Sequence, residues 1–204
     1  ETLQEKQVVK KSELQVGKYL WQTTPSQVAQ KVAQLQNVQT SHVSFSLPGR
    51  VHITVQERQP AYQVSSNSLN PIWYAVDREG LVLRKLKGTS NQWPRLKLEE
   101  HIEVGKRLHP ALIATCSQAC REIENQFPAS IWYYTLDQRG NLSFRTFSKQ
   151  YPVDVQLGST ENLSYKLQVL QALMTTVMEK EQVSGIDLRF ATPVVRLLNP
   201  PKPK

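Results

Sequence analysis

The chain has 204 residues, 39% of them apolar and 21% charged, which suits a globular protein with one large or two small domains. No apolar run approaches the roughly 18 to 20 residues needed to cross a bilayer. The formal charge of +8 is scattered along the chain, which argues against a nucleic-acid-binding protein. The sequence begins without an initiating methionine or a signal peptide, so we expect a fragment or a processed chain.

The amino-terminal residues predict one strand and two helices. Residues 1–11 favour a short strand, and residues 12–17 favour a helical turn that Trp21 anchors. A longer helix is predicted from Ser26, because capping residues precede apolar side chains at helical spacing. These capping and apolar residues are Thr24, Pro25, Val28, Val32 and Leu35.

A hairpin follows, and the rest of the chain is organised around it. Apolar and polar side chains alternate over residues 43–47 and again over residues 51–55, as in two half-buried strands. Pro48-Gly49 between them is a turn signal. No glycine interrupts residues 57–64, so we expect one stiff strand that joins two domains and fixes the angle between them.

Two further hairpins are predicted, each with an Asp-x-x-Gly turn. Their strand, turn and return strand are residues 72–76, 77–80 and 81–83 in the first, and 131–136, 137–140 and 142–147 in the second. A calcium loop would need several more oxygen ligands at fixed steps. We therefore interpret both turns as ordinary hairpin turns.

Between these hairpins, residues 93–104 predict an extended or irregular connection, followed by a helix over residues 110–126. Cys116 and Cys120 lie on the apolar face of that helix, and we interpret both as buried core residues. A zinc site that used His101 or His109 would need a different spacing.

The last third of the chain predicts a strand, a helix and two more strands. Residues 153–157 alternate as a strand, and Ser159 or Thr160 caps a helix that runs to about Glu181. Its buried stripe comprises Leu163, Leu167, Leu170, Met174 and Val177. Residues 185–190 and 194–198 predict the final strands, and residues 200–204 form a proline-rich tail without predicted structure.

No pattern in the sequence predicts catalysis. It lacks a phosphate-binding glycine loop, a Gly-x-Ser-x-Gly elbow and a His-Glu-x-x-His motif. The acidic cluster around His101 has no partner histidine, and we interpret it as an exposed polar face. We therefore expect no catalytic residue, no cofactor and no metal, and we interpret the protein as a non-enzymatic scaffold.

The most informative functional feature is the last predicted strand. Two small mixed sheets in series would each end in an edge, and an edge offers unpaired backbone groups to an extended partner segment. Residues 194–198 would form this edge, with Arg189 and Arg196 available to pair with partner carboxylates. Pro193 and the basic side chains would discourage self-association.

Five short motifs, in order, resemble the extracytoplasmic part of the bacterial cell-division family FtsQ/DivIB. The motifs are Val55-x-Glu57-Arg58-x-Pro60-Ala61, Val76-Asp77-x-x-Gly80, Val155-x-Leu157-Gly158, Lys166-Leu167 and Ile186-Asp187-Leu188-Arg189-Phe190. The resemblance covers nearly the whole chain, and the polar linkers and glutamine-rich helix are similar to cyanobacterial members.

The resemblance implies an α+β fold in two domains. Residues 1–62 would form a POTRA (polypeptide-transport-associated) domain with the order strand, helix, helix, strand, strand. Residues 63–199 would form the family's mixed, β-rich domain with two helices, and residues 200–204 a disordered tail. A single membrane anchor preceding Glu1 would hold this region on the periplasmic side of the inner membrane.

The resemblance also implies a role in assembling the divisome. Family members hold FtsB- and FtsL-like partners, contact other membrane division proteins, and link them to septal peptidoglycan synthesis. The implied partner-binding residues are Asp187, Arg189, Phe190, Val194, Val195 and Arg196. Phe190 replaces a common aromatic hydroxyl, and Thr192-Pro193 departs from the usual turn. The alternative is a POTRA-bearing component of outer-membrane protein export, which would bind polypeptides at the first domain's sheet edge.

Overall fold

The computed structural model describes residues 3–17, 23–66, 70–127, 130–148, 151–177 and 181–198. The chain divides into two compact units, Glu1–Pro60 and Ala61–Lys204. The fold class is α+β, as the sequence predicted, with a two-stranded sheet in the first unit and a nine-stranded mixed sheet in the second. Trp21 and the predicted tail at residues 200–204 lie outside the described residues.

Helices α1 (Glu5–Ser12) and α2 (Pro25–Ala33) precede strands β1 (Val38–Ser46) and β2 (Arg50–Glu57) in the first unit. Thr24 caps α2 by accepting a hydrogen bond from the Gln27 backbone N–H at 3.3 Å, as the capping prediction anticipated. The two strands form the predicted antiparallel hairpin. Buried valines from both helices and from β1 form the core: Val8, Val28, Val32 and Val43.

The predicted strand at residues 1–11 is wrong, because α1 occupies most of this segment. Val8 is buried and packs in the core of the first unit, whereas the adjacent Val9 is 52% exposed. A capping box between Gln4 and Gln7 starts the helix. The predicted turn at residues 12–17 is wrong as well, since Glu13 ends α1 in a left-handed conformation.

The predicted continuous strand across residues 57–64 is also wrong. β2 ends at Glu57, and a separate strand, β3 (Pro60–Ser66), pairs within the second unit. Arg58 holds the open end of the hairpin together, because its backbone N–H donates to the Asn37 carbonyl at 2.8 Å. The prediction of one stiff strand rested on the lack of glycine and overlooked this local hydrogen bonding.

The second unit is built on one nine-stranded sheet rather than a small one. Its remaining strands are β4 (Tyr74–Asp77), β5 (Val82–Lys85), β6 (Arg95–Leu98), β7 (Ile131–Leu136), β8 (Leu142–Ser148), β9 (Tyr151–Gly158), β10 (Val183–Asp187) and β11 (Val194–Leu197). Their order is β11-β10-β9-β8-β7-β6-β3-β4-β5. The sheet is mixed, because β3 with β6, β6 with β7 and β9 with β10 pair in parallel whereas β4 with β5, β7 with β8 and β8 with β9 pair in antiparallel fashion.

Helices α3 (Pro110–Gln126) and α4 (Leu163–Thr176) share a core with the sheet. Cys116 and Cys120 are buried, as predicted, and both are free thiols. On α4 the predicted stripe is confirmed, with Leu163, Leu167 and Leu170 buried. The helix begins after Asn162 rather than at the predicted cap, and it ends at Thr176, short of Glu181.

The predicted extended or irregular connection at residues 93–104 contains the short strand β6. Both Asp-x-x-Gly segments are hairpin turns, as predicted. In each, one aspartate Oδ1 accepts two backbone N–H groups, those of Glu79 and Leu81 at Asp77 and those of Arg139 and Asn141 at Asp137. No helix within the described segments is both long and apolar enough to span a membrane.

Candidate partner-binding site

Strand β11 lies at one end of the strand order of the large sheet. It pairs in antiparallel fashion with β10, and over the described part of the chain no strand pairs with its other side. The register opposes Arg196 to Gly185, Val195 to Ile186 and Val194 to Asp187. The edge predicted at residues 194–198 is therefore present as a four-residue strand.

The backbone of β11 has a defined inner and outer side. The Arg196 carbonyl accepts a hydrogen bond from Ser184 Oγ at 3.1 Å, and the Leu198 N–H donates to the Gln182 carbonyl at 2.7 Å. Backbone groups of alternate residues point to opposite sides of a strand in the plane of the sheet. The N–H and C=O groups of Val195 and Leu197 therefore point away from β10.

The side chains of β11 also divide between two faces. Val195 and Leu197 are half-buried and pack against the core of the second unit. Val194 is 47% exposed, and Arg196 is exposed as well. A partner strand beside β11 would thus meet the side chains of Val194 and Arg196 on the solvent side, with Val195 contributing its backbone.

Two of the predicted site residues form an ion pair within this chain. Arg189 Nε donates to Asp187 Oδ1 at 2.9 Å, and Arg189 Nη2 donates to Asp187 Oδ2 at 2.6 Å. The Arg189 backbone N–H adds a further bond, to Oδ1 at 3.1 Å. The hydrogen bonds from the Arg189 side chain lower the pKa of the Asp187 carboxyl.

Arg189, which was predicted to pair with a partner carboxylate, pairs with Asp187 within this chain. Its guanidinium is already paired, although the side chain remains 45% exposed, compared with 6% for Asp187. Asp187 therefore orients Arg189. The other edge of the Arg189 guanidinium is left for a further acceptor. Phe190 is 63% exposed, and its ring centroid lies 5.6 Å from the Arg189 guanidinium carbon.

Gly158, which ends β9, gives Arg189 the room it occupies. A Cβ atom at this position would lie 3.0 Å from Arg189 Cγ, and the backbone φ of +70° also favours glycine. The adjacent Leu188 N–H donates to the Gln156 carbonyl at 2.7 Å. The sequence marked Gly158 only as a strand end, so its contact with Arg189 was missed.

Lys166 holds the backbone at the end of β9, on either side of Gly158. Its Nζ donates to the carbonyls of Leu157 and Ser159, each at 2.8 Å, and burial lowers its pKa. The structure therefore brings residues of three separate motifs together beside the edge strand. One motif lies at the end of β9, one at the end of β10 and one in α4. The only sequence signal for Lys166 was its place in the family resemblance.

This arrangement suits recognition rather than bond-breaking chemistry. It offers outward backbone groups, two exposed β11 side chains and an oriented guanidinium, which together fit an extended peptide that adds a strand. Within the described segments, no three or more His, Cys, Asp or Glu side chains are grouped so that they could hold a metal ion.

Comparison with known families finds one match. Residues 1–58 match the family model of the POTRA domain, FtsQ-type. The amino-terminal region is therefore a POTRA domain of this type, although its described elements begin with α1 rather than with the predicted strand. No curated protein matches the chain.

Proposed function

We propose that this chain, whose amino-terminal region is an FtsQ-type POTRA domain, is the extracytoplasmic part of an FtsQ/DivIB-type division protein. In this proposal it is a non-catalytic divisome scaffold, held by one membrane anchor with this region in the periplasm. It recruits FtsB- and FtsL-like partners and links them to septal peptidoglycan synthesis. The POTRA match supports the assignment to cell division.

The observation that carries the recruiting mechanism is the outer backbone of β11. Val195 and Leu197 present backbone donors and acceptors away from β10, at the end of a nine-stranded sheet. Unpaired groups at an edge bind an extended segment through main-chain hydrogen bonds, and neighbouring side chains supply specificity. Here those neighbours are Val194, Arg196 and the oriented Arg189.

Replacing Val195 tests this mechanism directly. Proline at position 195 removes one outward N–H without removing a group that faces β10, and proline is tolerated at sheet edges. Val195→Ala is the matched control, because it loses similar side-chain packing but keeps the donor. The probe is the extracytoplasmic segment of the FtsB-like protein encoded by the same genome, measured by calorimetry against the chain.

We expect Val195→Pro to weaken binding at least about tenfold relative to Val195→Ala, since a strand-pairing hydrogen bond is lost. Circular dichroism of both variants establishes that the fold is kept. Equal affinities of the two variants for the segment would contradict strand addition at β11. Failure of the unmodified chain to bind the FtsB-like and FtsL-like segments, alone or together, would contradict the proposed function.

A further inference from the structure

A cleft rich in aromatic side chains lies in the second unit, away from β11. We call it the aromatic cleft and define it by Asn91, Trp93, Glu124, Trp132, Tyr134 and Phe147. Its volume of about 580 Å³ falls within the range of roughly 300 to 1,000 Å³ that is typical of small-molecule sites. Neither the proposed scaffold role nor the edge-strand mechanism uses these residues.

Exposed aromatic rings form one side of the aromatic cleft. Trp132 is 45% exposed and Phe147 is 43% exposed, and their ring centroids lie 5.7 Å apart with an interplanar angle of 38°. Large aromatic side chains usually bury much of their area. Two adjacent exposed rings therefore form an apolar platform that a flat ligand could cover.

A buried hydroxyl group without a hydrogen-bond partner also lines the aromatic cleft. Tyr134 is only 3% exposed, and no described group forms a hydrogen bond of normal geometry with its hydroxyl. Glu124 is close enough to contribute to the raised pKa of Tyr134, although burial is the main cause. A buried polar group without a normal hydrogen bond is destabilising, so a ligand hydroxyl that paired with it would be favoured.

Another part of the cleft lining, at residues 90–93, is fixed in place by Gln63, which is fully buried. Its Nε2 donates to the carbonyls of Ser90 and Trp93 at 2.6 and 2.9 Å, and its Oε1 accepts the Ser90 N–H at 2.7 Å. Arg95 Nη2 donates to Asn91 Oδ1 at 2.7 Å and so orients that amide. A wall held by this many bonds is preorganised, which lowers the entropic cost of binding.

These features restrict the chemistry of the ligand. Glu124 and Arg95 both line the cleft and carry opposite charges, so together they favour a neutral ligand over an ion, and the amide and hydroxyl groups disfavour a hydrocarbon chain. Strands β6, β7 and β8 each pair on both sides, so a peptide cannot add a strand here. A ring compound with one apolar face and several hydroxyl groups satisfies both the platform and the polar groups. We propose that the aromatic cleft binds a neutral saccharide.

The test uses the full chain and neutral trisaccharides, namely triacetylchitotriose, cellotriose and maltotriose, followed by tryptophan fluorescence and calorimetry. We expect at least one of them to bind with a Kd of about 1 mM or tighter. Trp132→Ala should weaken this binding at least about tenfold. Tyr165→Ala is the matched control, because Tyr165 is 66% exposed on α4 and does not line the cleft.

A second variant keeps the proposal falsifiable if Trp132→Ala fails to fold. Tyr134→Phe removes only the hydroxyl and keeps the buried ring, so it should retain the fold while it weakens saccharide binding severalfold. Lack of binding by all three sugars up to about 10 mM would overturn the proposal. Binding that is equally strong in Trp132→Ala and Tyr134→Phe, or binding of a proline-rich peptide in place of the sugars, would overturn it as well. None of these outcomes bears on recruitment at β11.

Discussion

Arg189 donates three side-chain hydrogen bonds to the Asp187 carboxylate, from Nε to Oδ1 at 2.9 Å and to Oδ2 at 3.2 Å, and from Nη2 to Oδ2 at 2.6 Å. The acid is almost completely buried, whereas the guanidinium is about half exposed. The pair lies beside the edge formed by β10 and β11, so it links the stability of the second unit to the shape of the proposed partner site.

Asp187→Asn should lower the midpoint of thermal unfolding by a few degrees, because the charge-assisted bonds to Arg189 are lost while the shape of the side chain is kept. Differential scanning calorimetry measures this change. Glu103→Gln serves as control, since the pair of Glu103 with Lys106 is exposed and contributes little. Equal midpoints for Asp187→Asn and the unmodified chain would show that the pair does not stabilise the fold.

The contribution of Asp187 should depend on pH in a defined direction. Its pKa is lowered in the folded state by the hydrogen bonds from Arg189, whereas an unfolded aspartate titrates near about 3.9. The stabilisation is therefore fully present above the pKa of the unfolded state, and it is lost as pH falls through the pKa of the folded state. Urea unfolding at about pH 7, 5 and 2 should show the difference between the unmodified chain and Asp187→Asn shrink only at the lowest pH. A difference that stays constant down to that pH would indicate lost packing instead of lost charge.

Gly158→Ala should destabilise the chain more than Gly140→Ala. Both glycines have positive φ, of +70° and +79°, so each alanine incurs about 1–2 kcal/mol of backbone strain. Only at Gly158 does the new Cβ also collide with Arg189, because nothing lies within 4 Å at Gly140. Chemical denaturation gives both free energies of unfolding. Equal losses would mean that Arg189 moves aside freely.

Gln63→Ala should cost about 2–3 kcal/mol of unfolding free energy, since it deletes three hydrogen bonds between a fully buried side chain and the part-buried backbone of Ser90 and Trp93. Amide exchange around residues 90–93 should accelerate as well. The matched control is Gln138→Ala, which removes one exposed bond to the Glu99 carbonyl, at 3.2 Å, and should change stability by less than about 0.5 kcal/mol. Unchanged exchange at residues 90–93 would contradict the anchoring role of Gln63.

Cys116 should resist thiol reagents in the native state. Burial raises its pKa to about 12, so little thiolate forms near neutral pH, and burial also blocks access. Labelling with a chromogenic disulfide reagent at about pH 8 should be slow for the folded chain and fast in denaturant. Rapid labelling of a Cys120→Ala variant without denaturant would show that α3 opens readily.

Features with a strong local signal were predicted correctly from the sequence. The hairpin at Pro48-Gly49 and the Asp-x-x-Gly turns follow from backbone preferences of a few residues. The stripe of leucines on α4 follows from helical periodicity. The final strand was also predicted, because residues 194–198 carry a short apolar run after Pro193.

Features that depend on distant partners were not predicted correctly. Residues 95–98 hold only two apolar side chains and form β6 because β3 and β7 flank them on both sides. Val8 and Val9 favour a strand by composition, yet burial of Val8 against α2 favours a helix there. These long-range pairings join nine strands into one sheet.

By itself the sequence determined the local elements and, through its motifs, the POTRA-like beginning and the position of the last strand. The tertiary structure alone decided that β11 lies at the sheet edge, that its outward groups belong to Val195 and Leu197, and that Asp187 pairs with Arg189. It also brought Trp93, Trp132 and Tyr134 to one cleft. The physical reason is that turns and periodicity depend on neighbouring residues, whereas edges, ion pairs and clefts depend on which distant segments pack together.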